Sequence, residues 1–166
     1  RTEENVFWSL APHDISVFQY FTNSFPTSIH ASGSAFLQEG IHDSTLTQLK
    51  YPSGVEGHIF VSWLHPFKEH RLVVIGTEAM ITFEDSSEGK PLKLYAKKID
   101  MEKGIPEKID GPVTLIDYEQ KMALTEELQY FVSHLDGKKP NIANGQHALE
   151  VTKILIIANK QLENIG

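Results

Sequence analysis

The chain has 166 residues, 40% of them hydrophobic, no cysteine and a formal charge of -7. That length and apolar content suit one domain over residues 1–166 with one sizeable core, and the acidic balance argues against nucleic acid or an anionic membrane as partner. Without cysteine there is no disulfide, thiolate nucleophile or cysteine zinc site, and no apolar run approaches the roughly 18 residues of a membrane span, so a cytoplasmic protein is expected.

The stretch from Trp8 to Phe21 reads as a helix. Ser9 has the side chain of a cap, Pro12 suits a first turn, and Ile15, Phe18 and Phe21 recur at helical spacing. His13 would then stand within about one turn of the positive end of the helix, where a neutral ring able to take up a proton is favoured over the imidazolium. The plainer alternative is a partly exposed histidine with no chemical task.

Thr27 to Leu37 alternates, with Ile29, Ala31, Ala35 and Leu37 on one side, and reads as a half-buried strand. Residues 43–64 form a hairpin about Pro52-Ser53-Gly54, with Asp43 to Tyr51 and His58 to Leu64 as its arms. His58 to Leu64, Arg71 to Ile75 and Ala79 to Phe83 are apolar at odd and even positions alike, so both faces of a sheet should be covered there. Helices cover one face, and a second copy of the chain is expected on the other. Leu92 to Lys98 is a further strand, and Asp100 to Pro112, with two glycines and two prolines, reads as an irregular loop. Tyr118 to Leu135 is an amphipathic helix with Met122, Leu128, Phe131, Val132 and Leu135 on one stripe, ended by Gly137. A last helix follows Asn144 as its cap and buries Ala148, Val151, Ile154, Leu155, Ala158 and Leu162. One helix, five or six strands and two helices predict an α+β fold: an open, largely antiparallel sheet, helices packed on one face, the other available for dimerisation.

The motifs that are absent restrict the chemistry. No two of the eleven glycines lie two positions apart, so this chain carries no dinucleotide fingerprint, and there is no Walker loop. His58, His65 and His70 lack metal-ligand spacing, and no metal is expected. Ser9, His13 and Asp14 do not make a triad, because adjacent helical residues point about 100° apart and Asp14 cannot orient His13. Lys68 and Arg71 flank the junction of two strands expected to be central, where two cations can hold a phosphate or carboxylate, although Glu69 stands ready to neutralise them.

Three segments in order carry a resemblance: Asn5-Val-Phe-Trp-Ser-Leu-Ala-Pro-His13-Asp-Ile-Ser16, then Ser62-Trp-Leu-His-Pro-Phe-Lys68-Glu-His-Arg71-Leu-Val-Val-Ile-Gly76-Thr77, then Glu126 to Phe131 with Gly137-Lys-Lys-Pro140 and Asn144-Gly145. Together they resemble the C-terminal domain of the glucose-fructose oxidoreductase / inositol dehydrogenase / rhizopine catabolism (Gfo/Idh/MocA) family, in its nucleotide-sugar and amino-sugar dehydrogenase branch. The resemblance implies a two-domain NAD- or NADP-dependent enzyme whose N-terminal Rossmann domain is absent from this chain, so that no cofactor binds this chain alone. A chain opening on Arg1 without an initiator methionine fits that expectation.

The family's Asp-x-x-x-His motif falls on Ser9 to His13, so the resemblance makes His13 the catalytic histidine and puts a hydroxyl at Ser9 where the family has a carboxylate. It implies oxidation of a sugar or nucleotide-sugar hydroxyl, with His13 taking the proton and the missing domain's nicotinamide the hydride, and a homodimer formed through the sheet. Lys68 would bind an acidic or phosphate group of the substrate, with Arg71 beside it and Trp8 walling the pocket; Trp63 is assigned to the core. The competing reading is a ligand-binding or oligomerisation module that kept the fold without the chemistry.

Overall fold

The computed structural model describes residues 4–101 and 104–163. In chain order the elements are α1 (Val6–Thr22), β1 (Ser28–Ser34), β2 (Ser44–Lys50), β3 (Glu56–Ser62), β4 (Arg71–Ile75), β5 (Met80–Glu84), β6 (Leu92–Tyr95), β7 (Lys98–Asp100), β8 (Glu107–Ile109), β9 (Val113–Ile116), α2 (Ala123–Val132) and α3 (Gly145–Glu163). They fall into two compact units, Arg1–His65 with Tyr130–Gly166, and Pro66–Gln129. All strand pairing is antiparallel, so the expected α+β class with open antiparallel sheets is found. None of the described helices is long and apolar enough to cross a membrane.

In the first unit, α1 starts three residues before Ser9, and the expected cap is corrected. Asn5 is the N-cap, its side-chain oxygen accepting the Trp8 N–H at 3.2 Å. The buried stripe Phe7, Ala11, Ile15 and Gln19 repeats every four residues and faces α3 and the sheet. Asn23, with φ 45°, ends the helix by donating its N–H to the Gln19 carbonyl, a left-handed cap that asparagine tolerates well. α3 runs antiparallel to α1, tied by Asn5–Asn159 at one end and Gln19–Glu150 at the other. Its expected cap holds: the Asn144 side chain accepts the His147 N–H at 3.0 Å. Of the expected apolar side, Ile154, Leu155, Ala158 and Leu162 are buried and Val151 packs against them, whereas Ala148, one turn from the helix start, is exposed. Replacing Asn144 by alanine is expected to cost about 1 kcal/mol, read as a lowered urea midpoint at unchanged m-value.

The sheet of this unit has the order β1-β2-β3. Ile29, Ala31, Leu49, Ile59 and Val61 point into the core with Tyr51, and Trp63 packs against that cluster as expected. Strand β1 stops at Ser34 rather than Leu37. The carboxylate of Asp43, 1% exposed, accepts the N–H groups of Phe36 and Leu37 at 2.7 and 2.8 Å, which bends the chain out of the ladder and leaves Ala35 and Leu37 in solvent. The free edge of β1 is covered by the Gln161 amide, which accepts from the Ala31 N–H and donates to the Ile29 carbonyl as a neighbouring strand would.

The second unit holds a separate four-stranded sheet, β4-β5-β6-β9, and the β7-β8 hairpin. The strands expected to lie together in the middle of one sheet are therefore divided: β3 ends the first sheet and β4 ends the second. Leu72, Phe83, Leu92 and Ile116 occupy one cross-strand row, half-buried, with the Tyr118 ring set edge-on to Phe83. On the opposite face Val73, Ile75, Val113 and Leu115 are exposed, so the expected cover on both faces is not supplied by this unit. The expected loop from Asp100 to Pro112 contains β7 pairing partners and leads straight into β9, a strand not anticipated. Gly111 makes that entry possible, since a Cβ there would overlap the Ala96 carbonyl where the chains approach.

Helix α2 is shorter than Tyr118 to Leu135. The Tyr118 hydroxyl and the Gln120 amide donate to the carbonyls of Lys90 and Gly89, tethering the lead-in to the β5–β6 turn instead of a helix. The apolar stripe is present, but no residue of α2 is buried and Met122, Leu128, Phe131, Val132 and Leu135 are all exposed.

Candidate functional site

The corrected start of α1 changes the environment of His13. It lies seven positions after Val6, about two turns into the helix, and the helix-end field fades within the first turn. The argument for a ring kept neutral by the helix terminus therefore falls. What the helix does provide is position: the Phe7, Ala11 and Ile15 side is buried, and His13 stands exposed on the other side. Ser9 is half-buried one turn back on the same face, where residues four apart are neighbours. Pro12 sits inside the helix and cannot donate to the Trp8 carbonyl, which loses its ordinary helical partner beside these residues.

Trp8 is half-buried against the core and lines a cavity of about 380 Å3 with Glu4, Asn5, His42, Asn159 and Glu163. Three of its lining residues are hydrogen-bonded in sequence: Asn5 donates to Asn159 at 2.7 Å and Asn159 to the Glu163 carboxylate at 2.7 Å. Five helical positions separate Trp8 from His13, about 140° of rotation, and His13 does not line this cavity. Trp8 and His13 are thus placed on one helix but not in one pocket. Asn5, Asn159 and Glu163 were not anticipated; a cap-type residue three positions before the Trp8 N–H was the signal available for Asn5.

Lys68 and Arg71 belong to the second unit. Arg71 opens β4 and is held by Glu69 at 3.1 Å and by its cross-strand partner Glu84 at 3.0 Å, so the anticipated neutralisation by Glu69 is found and reinforced. Lys68 is exposed in the turn before it. Nearby, Lys90 holds the Asp85 carboxyl below its ordinary range through a 2.7 Å ion pair. Among the described residues no group of three or more His, Cys, Asp or Glu side chains is placed to hold a metal ion.

The open antiparallel sheets and the helices place the chain in the α+β class. The family model described as the GFO/IDH/MocA C-terminal domain matches residues 1–82, the stretch that carries α1, the first sheet and β4. No curated protein sequence matches the chain. Its fold is shared with UDP-N-acetylglucosamine 3-dehydrogenase from Acidithiobacillus ferrooxidans, at 15% identity and TM-score 0.80 over 98% of this chain and 48% of that one. It is also similar to an aldose-aldose oxidoreductase from Caulobacter crescentus, at 13% identity and TM-score 0.74 over 98% and 47% of the two chains. The WlbA dehydrogenase from Bordetella pertussis, solved with NADH and UDP-GlcNAcA, matches at 12% identity and TM-score 0.67 over 98% and 44%. The chain thus spans about half the length of the solved proteins it matches.

Proposed function

We propose that residues 1–166 form the substrate-facing and dimer-forming domain of a longer, cytoplasmic oxidoreductase that uses NAD or NADP to oxidise a hydroxyl of a sugar or nucleotide sugar, with a Rossmann domain preceding it. The observation that carries this reading is the family match over residues 1–82, which holds Trp8, Ser9, His13, Lys68 and Arg71. The shared fold and the half-length coverage of sugar-nucleotide and aldose oxidoreductases support it. This chain's own residues do not fit a dinucleotide, since its glycines lack the spacing that lets backbone approach a pyrophosphate, so no step through the cofactor is assigned to them.

The share of this chain is proton handling and substrate positioning. A neutral His13 offers one ring nitrogen as acceptor and takes the proton of the reacting hydroxyl, while the hydride on the carbon bearing that hydroxyl would pass to the nicotinamide held by the preceding domain. The Ser9 hydroxyl orients the ring but, carrying no charge, stabilises the imidazolium less than a carboxylate would. Lys68, in the second unit, is the candidate cation for an acidic or phosphate group; Arg71, already paired twice, adds geometry more than charge. Trp8 lines a cavity that His13 does not, so the wall expected of it is not assigned to the His13 site. The coding sequence upstream tests the reading: a Gly-x-Gly-x-x-Gly strand-helix unit and the Glu-Lys-Pro motif that the family resemblance implies for the N-terminal domain are expected within about 150 residues, and their absence removes the dehydrogenase. The non-catalytic module is favoured by one observation, the hydroxyl at Ser9.

The exposed Val73, Ile75, Val113 and Leu115 lie on the two edge strands of the second unit's sheet, with Met80 and Tyr95 bridging Ile75 to Val113, and they support a homodimer through the sheet, because exposed apolar surface is unfavourable in water. Light scattering on the eluted chain is expected to read twice the mass of one copy, and Ile75→Asp to return it to one. A parent chain that elutes as a monomer at high concentration removes the dimer.

A further inference from the structure

A second cavity, about 310 Å3, lies in the first unit between the C-terminal end of α1 and the start of α3, and His13 does not line it. Gln19 forms its base. The buried stripe of α1 runs Phe7, Ala11, Ile15 and then Gln19, so an amide occupies a position where packing alone asks for an aliphatic side chain. Gln19 is 4% exposed, and a polar group that deep is costly unless fully bonded. Its orientation is fixed at both ends: the Tyr51 hydroxyl donates to Oε1 at 3.2 Å, and Nε2 donates to Glu150 at 3.1 Å. The other Glu150 oxygen accepts from the Gln146 amide at 2.9 Å. Burial pushes the Tyr51 phenol up to about 12, which keeps it a donor at any physiological pH.

We propose that this cavity is a binding site for a neutral polyhydroxylated ring the size of one sugar, separate from the His13 face. Gln19, bonded at both ends, holds the wall in place; Gln146 spends one N–H on Glu150 and has a second to offer a ligand, and Asn23 adds a further amide to the lining. An amide presents a donor and an acceptor side by side, which suits adjacent hydroxyls. The Tyr20 and Phe25 rings line the cavity and are exposed, Tyr20 by 61%, and an exposed aromatic ring suits the C–H face of a sugar. No lysine or arginine lines the cavity and the Glu150 carboxylate does, so phosphate and carboxylate ligands are disfavoured. The volume falls at the lower end of small-molecule sites, about 300–1,000 Å3, which limits the ligand to a single ring.

The inference does not rest on the dehydrogenase reading, and its test reads binding rather than turnover. The 15N-labelled chain is titrated with D-glucose, N-acetyl-D-glucosamine and myo-inositol, with inorganic phosphate as comparator. At least one of the three is expected to move the side-chain amide signals of Gln19, Asn23 and Gln146 saturably in the millimolar range, while phosphate does not. Tyr20→Ala, at an exposed position that leaves the fold intact by its unfolding midpoint, is expected to weaken that binding about tenfold, the loss of one stacked ring. The proposal is overturned if none of the three moves these amides, if phosphate moves them equally, if the shifts gather at Ser9 and His13 instead, or if Tyr20→Ala binds as the parent does.

Discussion

Replacing His13 by alanine in the longer oxidoreductase proposed above is expected to lower kcat by about 10²- to 10⁴-fold, the usual contribution of a positioned general base, with KM little changed. The expectation follows from placement. The ring is exposed on a helix whose opposite side is locked into the core, so its removal takes away a proton acceptor without opening a cavity. An unfolding midpoint within about 0.5 kcal/mol of the parent separates lost chemistry from lost structure. A companion variant sharpens the reading. Ser9→Asp places a carboxylate one turn from the ring, which favours the imidazolium and raises the histidine pKa. Because the base works only when neutral, the acid limb of the kcat/KM profile is expected to move to higher pH in Ser9→Asp. A His13→Ala enzyme with unchanged kcat ends the role for His13.

How much of this was legible in the sequence depended on whether one residue or several made the decision. Asn144 was readable as a cap because its type and position suffice, and Ile154, Leu155, Ala158 and Leu162 were readable as core because their spacing repeats. Ser9 and Asn5 are both cap-type residues ahead of one apolar run, and only geometry decided between them; the side chain that reaches the Trp8 N–H is that of Asn5. That choice moved the helix end by a turn and removed the electrostatic argument for His13 while leaving its exposed position. The end of β1 is set by Asp43, seven positions from the first N–H it caps, and no local pattern encodes that contact. The same holds for the segment before α2, where Tyr118 and Gln120 bond to a turn about thirty residues back. Periodicity also says which side of a segment is apolar but not what covers it, so the stripe of α2 was recognised while its exposure was not. The candidate residues divide in the same way. The positions Trp8, Ser9, His13, Lys68 and Arg71 were legible as residue types in order, while the double pairing of Arg71 and the separation of Trp8 from His13 around the helix belong to the structure.

The largest effect on stability is expected from Phe7→Ala, at about 3–5 kcal/mol. Phe7 is fully buried on α1, in one cluster with Ile15, Leu49, Ile154 and Leu162, so the lost ring leaves a void bordered by both helices and the sheet. A domain of ordinary stability, about 5–15 kcal/mol, survives that loss with little to spare. In a chain of this size the shift corresponds to a melting temperature lower by about 6–20 °C. Phe36 and Phe67 supply the control: both are exposed, and alanine at either is expected to change stability by no more than about 0.5 kcal/mol. Urea unfolding of the three variants measures the contrast, and a Phe7→Ala midpoint equal to that of Phe67→Ala contradicts the packing described here. The consequence reaches the candidate site, because α1 is held on the sheet by the side that Phe7 anchors. A Phe7→Ala enzyme is therefore expected to keep the kcat of the folded fraction at low temperature and to lose activity in step with unfolding as temperature rises, whereas His13→Ala loses it at every temperature.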